Sequence, residues 1–329
     1  MRAAVLIFGL AGLVGLAGCD GSSALERRSL PSGGGSTRET GPELRADESD
    51  IESAIGHPVQ MRNGACDPVL LIHGTGSTSF ESWAGTYIPA LTAAGFEVFT
   101  LDLPGKAYGD IQASAEYLVH ALRVIARLSG RPVDVITHSQ GGLVARWGLK
   151  WWPDTHALVD DLIMLGAPHH GTLIVELYCV AACKPAHFQM QPQAEFIEAL
   201  NAGDEMGLAA STTSIYSITD ELVQPQWPDS TSALPGAANI AIQDLCPGRP
   251  VDHVGLMRDG AVYALVLSAL LNEGPAEHGR FSLLSCADLL IPGIGAVASL
   301  QANYYFFASG NSDVPDATQE PELEPYAQQ

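Results

Sequence analysis

The chain has 329 residues, 47% of them apolar, and its 37 acidic against 16 basic side chains give a formal net charge of -21. A sizeable core can be buried, so global disorder is excluded. The negative field repels phosphate backbones and anionic lipid surfaces, which argues against nucleic acid as a partner and leaves neutral substrates open.

Arg2 precedes an apolar run from Ala3 to Ala17 that leads into Leu16-Ala17-Gly18-Cys19. A basic start, a short apolar stretch and small residues describe an export signal; the run is too short and too rich in glycine to span a bilayer. Leu-Ala-Gly-Cys resembles the bacterial lipobox, which implies cleavage before Cys19, lipid on its sulfur and an exported protein anchored at a membrane or cell surface. Residues 1–18 are then a leader. Residues 19–58, with Ser32-Gly33-Gly34-Gly35-Ser36, read as a flexible tether because they hold few core formers. One folded domain is expected over 59–308, followed by a disordered acidic tail, 309–329, punctuated by Pro315, Pro321 and Pro325.

Inside the domain, strands and helices alternate. Val69–Ile72 is a continuous apolar run, as a buried parallel strand requires. Glu81–Ala94 is predicted helical up to Gly95, and Phe96–Leu101 is the next strand. A helix over Asp110–Leu128 would bury Ile111, Leu118, Leu122 and Ile125 on one face. Strand Pro132–Thr137 is followed by a helix from Gln140 to Trp151. Further strands are expected at Leu162–Leu165, Ser214–Ile218 and Asn239–Ile242. This alternation predicts an α/β class with a mostly parallel sheet covered by helices on both faces, its reactive groups at the carboxyl ends of the strands.

Thr137-His138-Ser139-Gln140-Gly141-Gly142 lies between strand and helix, the setting in which a sharp turn lifts a serine hydroxyl above a sheet. Thr137 stands where the usual first glycine would be. A serine nucleophile needs a neutral imidazole to take its proton and a carboxylate to orient that imidazole, in the chain order Ser, acid, His. Asp220, after the Ser214–Ile218 strand, and His253, after Pro250-Val251-Asp252, meet that order; Glu221 and Asp252 are the competing acids. His73-Gly74-Thr75-Gly76 follows the first strong strand. There the backbone N–H of Thr75 joins that of Gln140 as an oxyanion hole, with the Thr75 hydroxyl as a third candidate donor.

Three segments carry a specific likeness: Gly74–Thr78, Thr137–Ala145 with Trp147-Gly148-Leu149, and Tyr216-Ser217-Ile218-Thr219-Asp220-Glu221-Leu222-Val223-Gln224-Pro225. Together with Asp252-His253 they resemble the Candida antarctica lipase B-like family of serine lipases and esterases, in the α/β-hydrolase superfamily. The resemblance runs from about Pro68 to Cys286 and implies an α/β-hydrolase fold acting on carboxylic esters through an acyl-enzyme, with no metal or other cofactor. It supports Ser139, Asp220 and His253 as triad and Thr75 and Gln140 as oxyanion hole, and it implies that Leu222 and Val223 line the acyl channel. His138 departs from the family, whose tryptophan at that place floors an alcohol pocket. The Ala167-Pro168-His169-His170-Gly171-Thr172 loop is one residue short and lacks an acyl-pocket aspartate, a wall that His169 is expected to fill. The apolar stretch Leu289–Phe307 sits where the family has an apolar helix near the pocket mouth.

The family pairs Cys246 with Cys286. Cys179 and Cys183 can close a small loop, although that spacing on a regular helix would strain a bridge. Cys66 is left as the odd cysteine. The expected partner is an ester or lipid substrate, and the chain is expected to act as a monomer. A polyester or polyhydroxyalkanoate depolymerase with the same triad, or a catalytically silent surface lipoprotein that only binds, are the alternative readings.

Overall fold

The computed structural model describes Leu30 and residues 40–57, 66–203, 211–295 and 312–328. In chain order the helices and strands are α1 (Glu48–Ala54), β1 (Ile55–Gly56), β2 (Val69–Ile72), α2 (Ser79–Trp83), α3 (Tyr87–Ala93), β3 (Val98–Leu101), α4 (Ile111–Ser129), β4 (Val133–His138) and α5 (Gly141–Trp151). They continue with β5 (Val159–Leu165), α6 (Pro185–Gln189), α7 (Glu195–Asn201), β6 (Ser211–Tyr216), β7 (Ala238–Ala241), α8 (Ile242–Leu245) and α9 (Gly260–Leu270). The seven strands form one sheet in the order β1-β3-β2-β4-β5-β6-β7, parallel except for the β1–β3 pair at one edge.

Strand alternation divides the apolar side chains between two cores. Leu70 and Ile72 of β2 point into one core with the apolar faces of α4 and α5, including the four positions expected on α4; Val69 and Leu71 point into the other with α3 and α9. Asp110 caps α4, its carboxylate accepting the Gln112 N–H at 2.9 Å, and Gly130 ends that helix in the left-handed conformation. The predicted helix over 81–94 is two short ones. The chain breaks at Thr86, which leaves helical geometry and whose hydroxyl donates to the Ser82 carbonyl at 2.9 Å.

The folded part extends further at both ends than composition suggests. Within the segment expected as tether, Asp47 caps α1, and β1 pairs antiparallel with β3. The Arg45 and Ala46 N–H groups donate to Glu116 of α4 at 2.6 and 2.8 Å. Within the segment expected as a disordered tail, Glu320 accepts the Glu195 and Phe196 N–H groups at 2.9 and 2.8 Å, capping α7 where the local residue, Ala194, has no side chain able to do so. Tyr326 packs on Trp147, Trp151 and Trp152, and its hydroxyl accepts from the Trp147 indole at 3.2 Å. Acidity and proline content describe how such segments behave alone; a carboxylate that meets uncapped amides, and an aromatic ring that meets three tryptophans, acquire partners only in the fold.

Cys179–Cys183 and Cys246–Cys286 are disulfides, with Cα atoms 4.9 and 5.6 Å apart. The first bridge lies just past a short 3₁₀ turn, Leu173–Leu177, so the helical strain anticipated for that spacing does not arise. Cys66 is disulfide-bonded as well, to a partner outside the described residues, which corrects its reading as an odd cysteine. Most of the apolar Leu289–Phe307 stretch, over residues 296–307, lies outside the described residues; at its start Leu289 is exposed and Ile291 buried.

Candidate active site

β4 runs buried to His138, and Ser139 then turns at φ +56° before α5 begins at Gly141. A left-handed conformation is costly for a residue with a side chain and persists only where its surroundings enforce it. Here the Ser139 N–H is held by the Leu165 carbonyl of β5 at 2.9 Å. Gly74 faces it so closely that a Cβ at that position would lie 2.8 Å from the Ser139 Cβ. Only a glycine lets the loop after β2 approach this serine.

Asp220 follows β6 and is buried. Its Oδ1 accepts the Leu222 and Val223 N–H groups at 2.9 and 2.8 Å, and its Oδ2 accepts His253 Nδ1–H at 2.7 Å. The proton of that imidazole is thereby fixed on Nδ1, leaving Nε2 as the basic nitrogen. Burial pulls the His253 pKa down, but the charge and hydrogen bond of Asp220, with smaller help from Glu221 and Asp252, outweigh it and leave it raised above the ordinary 6.5. The competing acids are engaged elsewhere: Glu221 accepts the backbone N–H of His253 at 3.0 Å, and Asp252 pairs with Arg258 at 3.1 Å. Gly166, at φ +59° after β5, leaves room for this pair; a Cβ there would lie 3.3 Å from Asp220 Oδ2 and 3.4 Å from His253 Cε1.

The oxyanion candidates lie on two loops that the sheet brings together. Among the described residues, the backbone N–H groups of Thr75 and Gln140 have no acceptor in the protein, and Gln140 opens the eleven-residue helix α5, whose positive dipole end favours an anion. The first loop is clamped by His73: its Nδ1–H donates to the Gly74 carbonyl at 2.8 Å and its Nε2 accepts the Leu103 N–H at 2.9 Å. Both ring nitrogens are used, and burial lowers the pKa, so this imidazole is neutral and structural. The clamp was not legible in the sequence, since Leu103 comes from a separate turn after β3. Met190 was not anticipated either; its sulfur is 3.9 Å from the Thr75 hydroxyl and 4.0 Å from the Gln140 side-chain nitrogen.

The residues expected to shape the pocket differ in burial and partners. His138 is fully buried beneath the candidate triad: its ring lies 4.5 Å from that of His253, and its Nε2–H donates to the His253 carbonyl at 3.0 Å. Burial first, and then the neighbouring His253, drive its pKa well below the usual range, so it stays neutral. His169 is also fully buried; burial, Arg146 and His170 lower its pKa well below normal. His170, the next residue, is the one that reaches a surface groove. Val223 is buried and Leu222 partly so, directly after the aspartate.

A strand, a strained serine turn and a helix, with a buried Asp–His pair arriving from loops after later strands, define a class. Residues 69–312 match the alpha/beta hydrolase family model, and the chain belongs to that family. More particularly, it is a homologue of lipase B from Pseudozyma antarctica, with 30% identity over 335 residues that cover 98% of this chain and 95% of that protein. The crystal structure of Aspergillus fumigatus lipase B superposes with a TM-score of 0.83 at 27% identity, covering 96% of this chain and 79% of that one. A Bacillus licheniformis lipase in its mature form shares the fold at a TM-score of 0.52 and 19% identity, covering 66% of this chain and 96% of that one.

Proposed function

We propose that the chain is a serine lipase or carboxylesterase that cleaves acylglycerol-like esters through an acyl-enzyme. The observation that carries this reading is the 2.7 Å Asp220–His253 hydrogen bond beside the left-handed Ser139 turn. Ser139 Oγ attacks the ester carbonyl while His253 Nε2 takes its proton. The developing oxyanion is met by the N–H groups of Thr75 and Gln140, and the same proton passes from His253 to the leaving alcohol. Water then repeats the sequence on the acyl-enzyme, releasing the carboxylic acid and restoring the serine. Asp220 keeps the imidazole in the reactive tautomer throughout, and Leu222 and Val223 border the acyl chain. His138 supports His253 from below through its hydrogen bond to the His253 carbonyl.

The test is a panel from short p-nitrophenyl esters to long triacylglycerols, run beside Ser139→Ala. Turnover that the substitution abolishes is expected; equal turnover by the variant rejects the mechanism. Activity confined to short soluble esters narrows the name to esterase.

We further infer export, from the leader and from the disulfides, which persist in oxidising compartments. Anchoring through lipid on Cys19 competes with disulfide chemistry. With two bridges closed among the other cysteines, Cys19 is the one remaining sulfur in the sequence that could pair with Cys66. Fatty-acid labelling lost in Cys19→Ser supports the anchor, and a Cys19–Cys66 linked peptide after non-reducing digestion rejects it.

A further inference from the structure

An open groove of about 1000 Å³ lies beyond the Asp220 loop, walled by the Pro225–Leu234 segment with Tyr216, Ile218, Leu173 and Asp244. None of the triad or oxyanion candidates lines it. Its rim carries Trp227, 77% exposed. The loop that presents this indole is braced from within. Gln226 Nε2 donates to the Val223 carbonyl and to Ser232 Oγ at 2.9 Å each, and the Thr231 N–H donates to the Pro225 carbonyl at 2.9 Å. A large aromatic face held out in water on a rigid loop offers contact area with little ordering entropy left to lose.

The polar groups of the groove narrow what could use that face. Asn239 is consumed by the backbone of residues 234–237, and the Thr231 hydroxyl donates to the Gly171 carbonyl. The groove's acids are Asp229 and Asp244; among the described residues neither accepts a hydrogen bond nor pairs with a cation, and the His170, Tyr216 and Ser230 side chains also line the groove. An ionised carboxylate only accepts. Acyl chains and polyester backbones offer no donors and would form no hydrogen bond with either exposed carboxylate. A ring with hydroxyl donors on its edge and C–H groups on its face satisfies both the acids and the indole. The net charge of -21 opposes anionic glycans. An organic ammonium would suit acids and tryptophan too, but a groove of about 1000 Å³ is far larger than such a headgroup and accommodates several linked rings.

We propose that this groove is a binding site for a neutral oligosaccharide, one ring stacking on Trp227 while its hydroxyls donate to Asp229 and Asp244. The site shares no residue with the triad or oxyanion hole, so it stands or falls independently of the hydrolytic reading. The full-length protein is titrated with maltohexaose, cellohexaose and chitohexaose, each to about 10 mM, by calorimetry and tryptophan fluorescence. At least one should bind. Trp227→Ala should weaken it by about tenfold or more, and Asp229→Asn and Asp244→Asn severalfold, with thermal unfolding unchanged because all three positions are exposed. The proposal is overturned if no saccharide binds, if Trp227→Ala binds as well as the parent, or if choline or a tributyrin emulsion binds through Trp227 in place of the saccharides.

Discussion

The two ends of the sheet hold buried carboxylates in opposite circumstances. At the carboxyl end, Asp220 is served by two backbone amides and by an imidazole. At the amino end, Asp134 of β4 accepts one backbone N–H, from Asp161 at 3.3 Å, and no cation pairs with it among the described residues. Burial first, then the charges of Asp161, Asp67 and Asp160, raise its pKa well above the carboxylate range. The same side chain at similar depth is thus fully partnered in one place and, with its charge disfavoured, nearly unpartnered in the other. Partners, more than depth, decide which.

Substitutions at the carboxyl end should be felt in turnover. On a soluble p-nitrophenyl ester, Ser139→Ala is expected to lower kcat by about 10⁶-fold, since nucleophile and base act as a unit. Asp220→Asn should lower it by about 10⁴-fold by favouring the wrong imidazole tautomer. A loss below tenfold would mean that Glu221 or Asp252 takes over as the orienting acid. Thr75→Val should cost about 10²-fold in kcat if its hydroxyl assists the oxyanion, with KM little changed; an unchanged kcat leaves that role to the backbone alone.

The pH dependence separates the two ends further. His253 must be neutral to accept a proton, and its pKa is raised, so kcat/KM should fall as pH drops through a midpoint above 6.5. Rates measured between pH 5 and 9 locate it, and a flat profile with chemistry rate-limiting removes His253 as the base. Asp134 acts on stability instead. A carboxyl pKa raised by folding contributes stability below its unfolded value that is lost as pH rises through the folded one. Asp134→Asn keeps the oxygen that accepts from Asp161 and removes the charge. It should therefore raise Tm by about 2 °C at pH 8 and by less at pH 5, without altering kcat; calorimetry at the two pH values checks it.

Chemistry written in short contiguous segments was legible. The β4–Ser139–α5 turn, the strand before Asp220 and the glycine-bearing loop at Thr75 could be found because strand, turn and helix signals are local there. Asp220 was preferred over Glu221 and Asp252 by its place after a strand and by the family resemblance. The partners that occupy the two competing acids, the His253 backbone N–H and Arg258, were not legible because they are far away in sequence or set by the fold. His138 and His169 looked like pocket walls because their positions adjoin the reactive serine and the loop after β5. Both rings are fully buried, His138 donating to the His253 carbonyl. Helix α1, strand β1 and the docked segment after residue 311 were hidden for the same reason: Glu116, Glu195 and three tryptophans supply what those segments lack.

Tyr326 lies more than 170 residues along the chain from Trp147 and Trp151 of α5, yet its ring is wedged against both, on the helix that starts beside Ser139. Removing the Tyr326 ring would empty that wedge and, through α5, loosen the turn at its far end.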